Sequence, residues 1–349
     1  MVSGHIWQHG TATVSGLGKR CNQDGVGGGT ITDPPAEWAA VADGHGSAAY
    51  VRSDLGARVA VELFGATLVR LWAEHAEDGR RPLTAAARGR LVHDFPRDLV
   101  RAWREHVALH HWNNPTRPRA EQPSTLYGST FIGALTLPEL LVCWQLGDGD
   151  LVLIDADGTC TTPLDSGEVV LGEATESLCG PEAWRSMRVH WVPLRQGSRP
   201  PALVMLSSDG LSKSFVDRPG FLAFARGVFE RLRAEGSDRL LERDLPHWLG
   251  EAARHSGDDT SVALLWPTAA VPQAAPRGPD RHEGAKPGPD AEPARESAAE
   301  VDLAPGSATD VDLAPQSSTD VGLAPQSSTD DEPARESAHG PDRPQGITA

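Results

Sequence analysis

Four groups of acidic residues, far apart in the chain, share one local design. They are Asp24 in RCNQDGV, Asp43 in VADGHG, Asp209 in MLSSDGL and the pair Asp258-Asp259 in SGDDTSVALL. Each group lies at one end of a predicted strand, beside a glycine or another acid. A single aspartate in such a place is usually a turn former or a helix cap. Four groups at strand ends would repel one another unless cations lay between them, so the pattern predicts a site for Mg²⁺ or Mn²⁺.

Two neighbours of Asp43 add to this chemistry. Gly44 has no side chain, so the backbone can approach an ion closely and its carbonyl can join the coordination shell. His45 lies two residues past Asp43 and has the chemistry of a general acid. A single histidine after a turn is more often structural, so its role stays open at this point.

The rest of the chain must supply the elements that hold these groups. Apolar runs predict strands at 39–42, within 131–154, at 202–207 and in the final SVALLW run. Apolar residues spaced three or four apart predict helices at 48–75, 85–112, 219–234 and 237–254, and Pro96 is expected to interrupt or restart the second of them. Strands and helix pairs are segregated rather than alternating. This order favours an α+β fold with antiparallel sheets over a doubly wound fold.

Composition excludes several classes of protein. The net charge of −16 argues against nucleic acid or an anionic membrane as a partner. No run of about 18 apolar residues predicts a membrane span, and the N-terminal stretch lacks the pattern of a signal peptide. The four cysteines form no C-x-x-C pair, which favours free thiols over a zinc site or disulfides. We therefore expect a cytoplasmic protein, and a monomer.

The chain divides into two unequal parts near Trp266-Pro267. Residues 1–267 carry continuous apolar periodicity and fit one large domain. Residues 268–349 are rich in Pro, Ala, Ser, Asp and Glu, and three tandem decapeptides (VDLAPGSATD, VDLAPQSSTD and VGLAPQSSTD) occupy 301–330. Such a segment cannot bury enough apolar surface to offset its ordering entropy, so a disordered tail is predicted. An expanded linker is favoured there over a phosphorylated segment.

Six short motifs occur in order within residues 10–266. They are Asn22-Gln23-Asp24, Asp43-Gly44-His45-Gly46, Gly128-Ser129-Thr130, Gly147-Asp148, Ser208-Asp209-Gly210 and Asp258-Asp259-Thr260-Ser261. Together they resemble the signature motifs of the metal-dependent protein phosphatases of the PP2C (PPM) family, and the variants QDG, GDGD and DDTS are most similar to a bacterial branch. Each motif alone is weak, but all six in sequence are specific. The resemblance implies a four-layer α-β-β-α sandwich of two antiparallel sheets flanked by helix pairs.

The resemblance also implies a role for each acidic residue toward two divalent cations, Mn²⁺ or Mg²⁺. Asp43 would bridge the two ions, and Gly44 would offer its backbone carbonyl. Asp209 and Asp258 would hold one ion. Asp24 would help to hold the other, directly or through water.

The implied activity is hydrolysis of phosphoserine and phosphothreonine in proteins, opposing a bacterial Ser/Thr kinase. A hydroxide between the metals would attack phosphorus in line. His45 would then protonate the leaving serine or threonine oxygen. Asp148 would be a candidate ligand for a third, weaker ion.

Phosphate binding is where the sequence departs from the family. Most members carry an arginine three residues before the Asn of the first motif, and here that position is Lys19, with Arg20 beside it. Lysine binds phosphate as a point charge and lacks the bidentate fork. We expect Lys19 to take this role because it needs no gap, with Arg20 as the alternative. Two other functions stay open: a non-catalytic module that binds a phosphoprotein, and a hydrolase of small phosphoesters.

Overall fold

Two five-stranded antiparallel sheets form the centre of the computed structural model, which describes residues 7–33, 35–77, 88–116, 122–165, 175–194 and 199–268. The strands are β1 (Trp7–Val14), β2 (Gly25–Thr32), β3 (Pro35–Ala42), β4 (Phe131–Leu137), β5 (Leu140–Leu146), β6 (Asp150–Ile154), β7 (Cys160–Thr161), β8 (Arg188–Pro193), β9 (Leu203–Ser207) and β10 (Thr260–Pro267). The first sheet has the order β1-β10-β9-β6-β7, and the second has the order β2-β3-β4-β5-β8. The first and last strands are therefore neighbours, with Trp7 opposite Pro267.

Helices cover the outer face of each sheet. They are α1 (Ser53–Glu77), α2 (Phe95–Asn113), α3 (Ala183–Ser186), α4 (Asp209–Ser212), α5 (Arg218–Glu235), α6 (Ser237–Arg239) and α7 (Leu245–Ser256). A π-helical turn at Arg90–Asp94 leads into α2, and Pro96 lies in the first turn of that helix. Helical backbone is continuous from residue 88 to Asn113, and the π-turn directly before Pro96 is the point where the α-helical hydrogen-bond pattern is interrupted. Interruption is thus the outcome at Pro96, as one of the two expected.

Three apolar cores separate the four layers. The core between α1, α2 and the second sheet contains Phe64 and Trp144, whose ring centroids lie 5.6 Å apart. The core between α5, α7 and the first sheet contains Phe229. The third core lies between the two sheets and includes Val41 and Leu206. The α+β prediction and the four-layer α-β-β-α sandwich are confirmed.

Strand β2 shows why periodicity missed part of the sheets. Its sequence, GVGGGTIT, has a low intrinsic preference for strand, and β1, β7 and β8 were not predicted either. A Cβ atom on any of the glycines 27–29 would lie 2.7 Å or less from Val61, His9 or Trp38. Large side chains of other elements thus fill the space above this strand. Glycine is required there by packing, which the local sequence does not reveal.

Three further expectations from the sequence have different outcomes. All four cysteines are free thiols, as predicted. No helix within the described ranges is long and apolar enough to cross a membrane. The predicted disordered tail lies outside the described residues from residue 269 onward, so it stays a prediction.

Gly56 in α1 provides a test of this packing. A Cβ atom there would lie 1.9 Å from the carbonyl oxygen of Tyr127, and the indole N–H of Trp103 already donates to the Gly56 carbonyl at 2.9 Å. We expect Gly56→Ala to reduce the free energy of unfolding by about 3 kcal/mol, because backbone must move. Thermal unfolding followed by circular dichroism should then show a melting temperature lower by roughly 6–12 °C.

Gly89 offers the matched control for this substitution. A Cβ atom there meets no described residue within 4 Å, and its backbone is already helical. Gly89→Ala should therefore leave the melting temperature unchanged or raise it slightly. Equal losses in the two variants would contradict the packing described for Gly56.

Candidate metal centre

The acidic residues predicted from the sequence meet at one end of the two sheets. Asp24 directly precedes β2, Asp43 directly follows β3, Asp209 begins α4 after β9, and Asp258 lies two residues before β10. Burial raises the pKa of Asp43 well above its usual range, and the carboxylates of the other three raise it further. Such repulsion requires short separations. These four residues are called the acidic cluster below.

The backbone around Gly44 brings the first two motifs together. Asp43 donates its N–H to Thr130 Oγ1 at 3.0 Å, and its carbonyl accepts from the Thr130 N–H at 2.8 Å. The Gly44 N–H donates to the Gln23 carbonyl at 3.2 Å. A Cβ atom on Gly44 would lie 2.6 Å from that carbonyl oxygen and 2.8 Å from the carbonyl of Ser53. Glycine is thus required for the loop before Asp24 to reach the end of β3.

Asp24 joins the second sheet to the first. Its Oδ2 accepts from the Ser208 hydroxyl at 2.8 Å, and the Ser208 oxygen accepts from the Ser261 N–H at 3.0 Å. Burial raises the pKa of Asp24 to about 7, although the hydroxyls of Ser261 and Ser208 favour its charged form. The site is therefore built from residues of both sheets.

Asp259 has a structural role that sequence reasoning missed. Its side chain is 1 % exposed. Its Oδ1 accepts from the Gly16 N–H at 2.8 Å, and its Oδ2 accepts from the Gln23 N–H at 2.8 Å. These bonds attach the loop before β2 to the start of β10. A buried carboxylate needs several donors, and the doubled acid in the last motif was the available signal.

Two lysine ammonium groups form ion pairs with acidic side chains of the site. The Lys19 ammonium contacts Asp258 and lies 3.1 Å from Asp259 Oδ2. The Lys213 ammonium contacts Asp209, four residues before it. Burial opposes the charge of each lysine, but the carboxylates outweigh it and raise both pKa values. Among the described residues, no three His, Cys, Asp or Glu side chains form a ready-made metal cage.

The chemistry of the donors nevertheless fits a hard divalent cation. Asp24 Oδ1 and Asp209 Oδ1 are buried and have no hydrogen-bond partner in the described part of the chain. A buried carboxylate oxygen without a donor is costly, and a cation would satisfy it. The donors are oxygen atoms, which suit Mg²⁺ and Mn²⁺ rather than softer metals.

His45 follows Asp43 by two residues and is held by two contacts. Its backbone N–H donates to the Gly128 carbonyl at 3.1 Å, and its ring packs against the ring of Tyr50 with centroids 4.7 Å apart. Burial lowers the pKa of His45, while the carboxylate of Asp148 raises it. Both tyrosines of the chain belong to this region, since Tyr127 directly precedes Gly128.

Asp148 approaches the cluster from the loop before β6. Its Oδ2 accepts from the Thr175 hydroxyl at 3.3 Å, and its carboxylate contributes to the raised pKa of Asp209, of which burial is the larger cause. Asp148 is exposed, so it faces the open side of the site. The structure thus brings Asp148 near Asp209, and its role as a ligand stays a prediction. Arg20, in contrast, is exposed on the loop next to Lys19.

Comparison with known families decides the membership of the chain. The family model described as Protein phosphatase 2C matches residues 18–250, which is more than half of the sequence. The chain belongs to the protein phosphatase 2C family. No curated protein matches it. The resemblance found in the six motifs is therefore confirmed.

Several solved phosphatase structures are similar to this chain. A bacterial serine phosphatase aligns with a TM-score of 0.50 at 16% identity, over 75% of this chain and 98% of its own. The catalytic domain of the serine threonine protein phosphatase PstP, in complex with two manganese ions, gives a TM-score of 0.47 at 20% identity, over 75% of this chain and 98% of its own. Stp1 from Staphylococcus aureus gives 0.49 at 15% identity, over 76% and 97%.

Within the protein phosphatase 2C domain, the sequence found the acids and missed their supports. Ser208 and Ser261 were quoted only as parts of motifs, yet they hold Asp24 in place. Lys213 was not singled out, although its spacing of four from Asp209 on a helical turn was a usable signal. Tyr50 beside His45 had no signal in the local sequence.

Proposed function

We propose that the chain is a metal-dependent protein phosphatase that hydrolyses phosphoserine and phosphothreonine. The observation that carries the proposal is the pair of buried carboxylate oxygens of Asp24 and Asp209 that have no hydrogen-bond partner within the described residues. His45 follows Asp43 by two residues, and the carboxylate of Asp148 acts on its pKa. Membership of the protein phosphatase 2C family supports the same reaction. The PstP structure with two manganese ions supports Mn²⁺ or Mg²⁺ as the cofactor.

The acidic cluster supplies the ligands for two ions in this proposal. Asp43 lies among the other three acids and would contact both ions, with the Gly44 carbonyl next to it. Asp209 and Asp258 would hold one ion, and Asp24 would hold the other. Ions held there would supply positive charge for the phosphoryl oxygens and would lower the pKa of water at the site, which is the chemistry that hydrolysis of a phosphate ester needs. Asp148 would hold a third ion more weakly, because it is exposed.

His45 and Lys19 would act on the substrate itself. Burial lowers the pKa of His45, so its protonated form gives up a proton more readily to the leaving oxygen. Lys19 is favoured over Arg20 for phosphate because its ammonium already lies at the edge of the cluster. The kinase partner, the cytoplasmic location and the monomeric state remain predictions from the sequence.

Removal of the metal tests the proposal directly. Turnover of an aryl phosphate and of a phosphothreonine peptide should both fall by about 10²-fold or more in a chelator, because the attacking water and the phosphoryl charge lose their support. Added Mn²⁺ should restore both activities. Calorimetry should show Mn²⁺ binding to the wild-type protein.

The same measurements separate the alternatives. Peptide binding without turnover under any metal condition would indicate a non-catalytic module. Turnover of the aryl phosphate but not of the peptide would indicate a small-molecule phosphoesterase. Metal-independent turnover would contradict the proposal outright.

A further inference from the structure

The distribution of lysine in this chain is unusual. Lysine and arginine together number 32, and only Lys19, Lys213 and Lys286 are lysines. Arginine therefore supplies the positive charge almost everywhere. The two lysines within residues 1–267 both have their ammonium groups on carboxylates of the candidate metal centre.

Lys213 is the more accessible of the two. It directly follows α4, and its N–H donates to the Asp209 carbonyl at 2.9 Å. Its side chain is 58 % exposed, whereas that of Asp209 is 10 % exposed. After burial, which opposes its charge, Asp209, Asp148 and Asp258 all act to raise the pKa of Lys213. The ammonium therefore lies on the solvent side of Asp209.

We infer that Lys213 is the displaceable counter-ion of the metal-free site. Its ammonium neutralises Asp209 until a divalent cation binds, and it must move aside for Asp209 to become a ligand. Lys19 would lose its contact with Asp258 in the same way, while its second partner, Asp259, keeps it attached. This inference rests on the proposed metal centre.

The choice of lysine has a physical reason. An ammonium is a compact point charge on a flexible stem, so it makes a single contact that a cation can replace. A guanidinium would hold a carboxylate through a bidentate fork, which is harder to displace. The two positions that must release their carboxylates thus carry the residue that releases them more easily.

Competition between ammonium and metal gives opposite effects on two measurable quantities. Without the ammonium, the metal-free protein keeps an uncompensated carboxylate, so its stability should fall. The metal then has no competitor at Asp209, so its affinity should rise. Removal of a residue that only supports the structure would lower both the stability of the metal-free protein and its affinity for the metal.

Lys213→Met tests this inference because methionine keeps the apolar stem and removes the charge. In a chelator, thermal unfolding should give a melting temperature lower by roughly 2–4 °C. Titration calorimetry with MnCl₂ should give a Kd lower by about three- to tenfold, as expected from removing one competing charge. Lys213→Arg should bind Mn²⁺ no more tightly than the wild type, since a guanidinium would hold the Asp209 carboxylate through two hydrogen bonds.

Arg101→Met is the matched control, since Arg101 makes an exposed ion pair with Asp98 on the surface of α2. This substitution should change neither the melting temperature in a chelator nor the Kd for Mn²⁺. An unchanged or weaker Mn²⁺ affinity in Lys213→Met would overturn the inference while leaving the proposed function intact. Failure of the wild-type protein to bind Mn²⁺ would overturn both.

Discussion

Asp43→Asn should lower kcat by about 10³-fold or more, which corresponds to about 4 kcal/mol of transition-state stabilisation. Asp43 lies among Asp24, Asp209 and Asp258, so it is the one acid whose loss affects both proposed ions. Turnover of an aryl phosphate at several Mn²⁺ concentrations measures the effect. Because a ligand is lost rather than weakened, added Mn²⁺ should restore little of the activity.

The same substitution should stabilise the metal-free protein. Burial and neighbouring carboxylates raise the pKa of Asp43 in the folded state, so its ionised form costs stability at neutral pH. Asparagine removes that charge, and the melting temperature in a chelator should rise. Asp98→Asn on the surface of α2 is the control and should change neither activity nor stability. Near-wild-type turnover by Asp43→Asn would exclude Asp43 as the shared ligand.

His45→Ala should reduce turnover of an alkyl phosphate by roughly 10²–10⁴-fold, as expected for the loss of a general acid. Serine and threonine are poor leaving groups, so they need the proton. An aryl oxygen leaves more easily, so an aryl phosphate should lose much less. The ratio of the two losses is the quantity to measure.

A second histidine provides the control for this substitution, and the contact of His45 with Tyr50 provides the alternative outcome. His106 is exposed on α2, and His106→Ala should leave both substrates unaffected. His45 also packs against Tyr50, so its removal could loosen the loop after β3. In that case both substrates would lose equal activity, and the melting temperature would fall as well. Equal losses would therefore assign His45 a positioning role.

The acids of the site were predictable because polar residues at the ends of apolar strands stand out in the sequence. Their partners were not. The start of α1 shows the reason: periodicity placed it near residue 48, whereas the helix begins at Ser53. The Arg52 N–H donates to the Leu126 carbonyl at 2.8 Å, and the Tyr50 N–H donates to Ser47 in a turn. A bond to a residue so distant in sequence cannot be read from local spacing.

The contact of Lys19 was hidden for the same reason. Lys19 was expected to bind substrate phosphate, and its position in the sequence gives no hint of Asp258. That contact joins residues at the two ends of the domain. The pairing of β1 with β10, together with the bonds from Gly16 and Gln23 to Asp259, brings them together.

The neighbourhood of β1 and β10 has a consequence for how the protein is made. Trp7 opposes Pro267 across this pair, so the first sheet cannot be completed until almost the whole domain has left the ribosome. Contacts of such long sequence separation close slowly, because the loop entropy is lost before the contacts form. Ser261, which supports Asp24, belongs to that last strand. A nascent or prematurely terminated chain would therefore lack this support for Asp24, and the acidic cluster would be complete only in the finished domain.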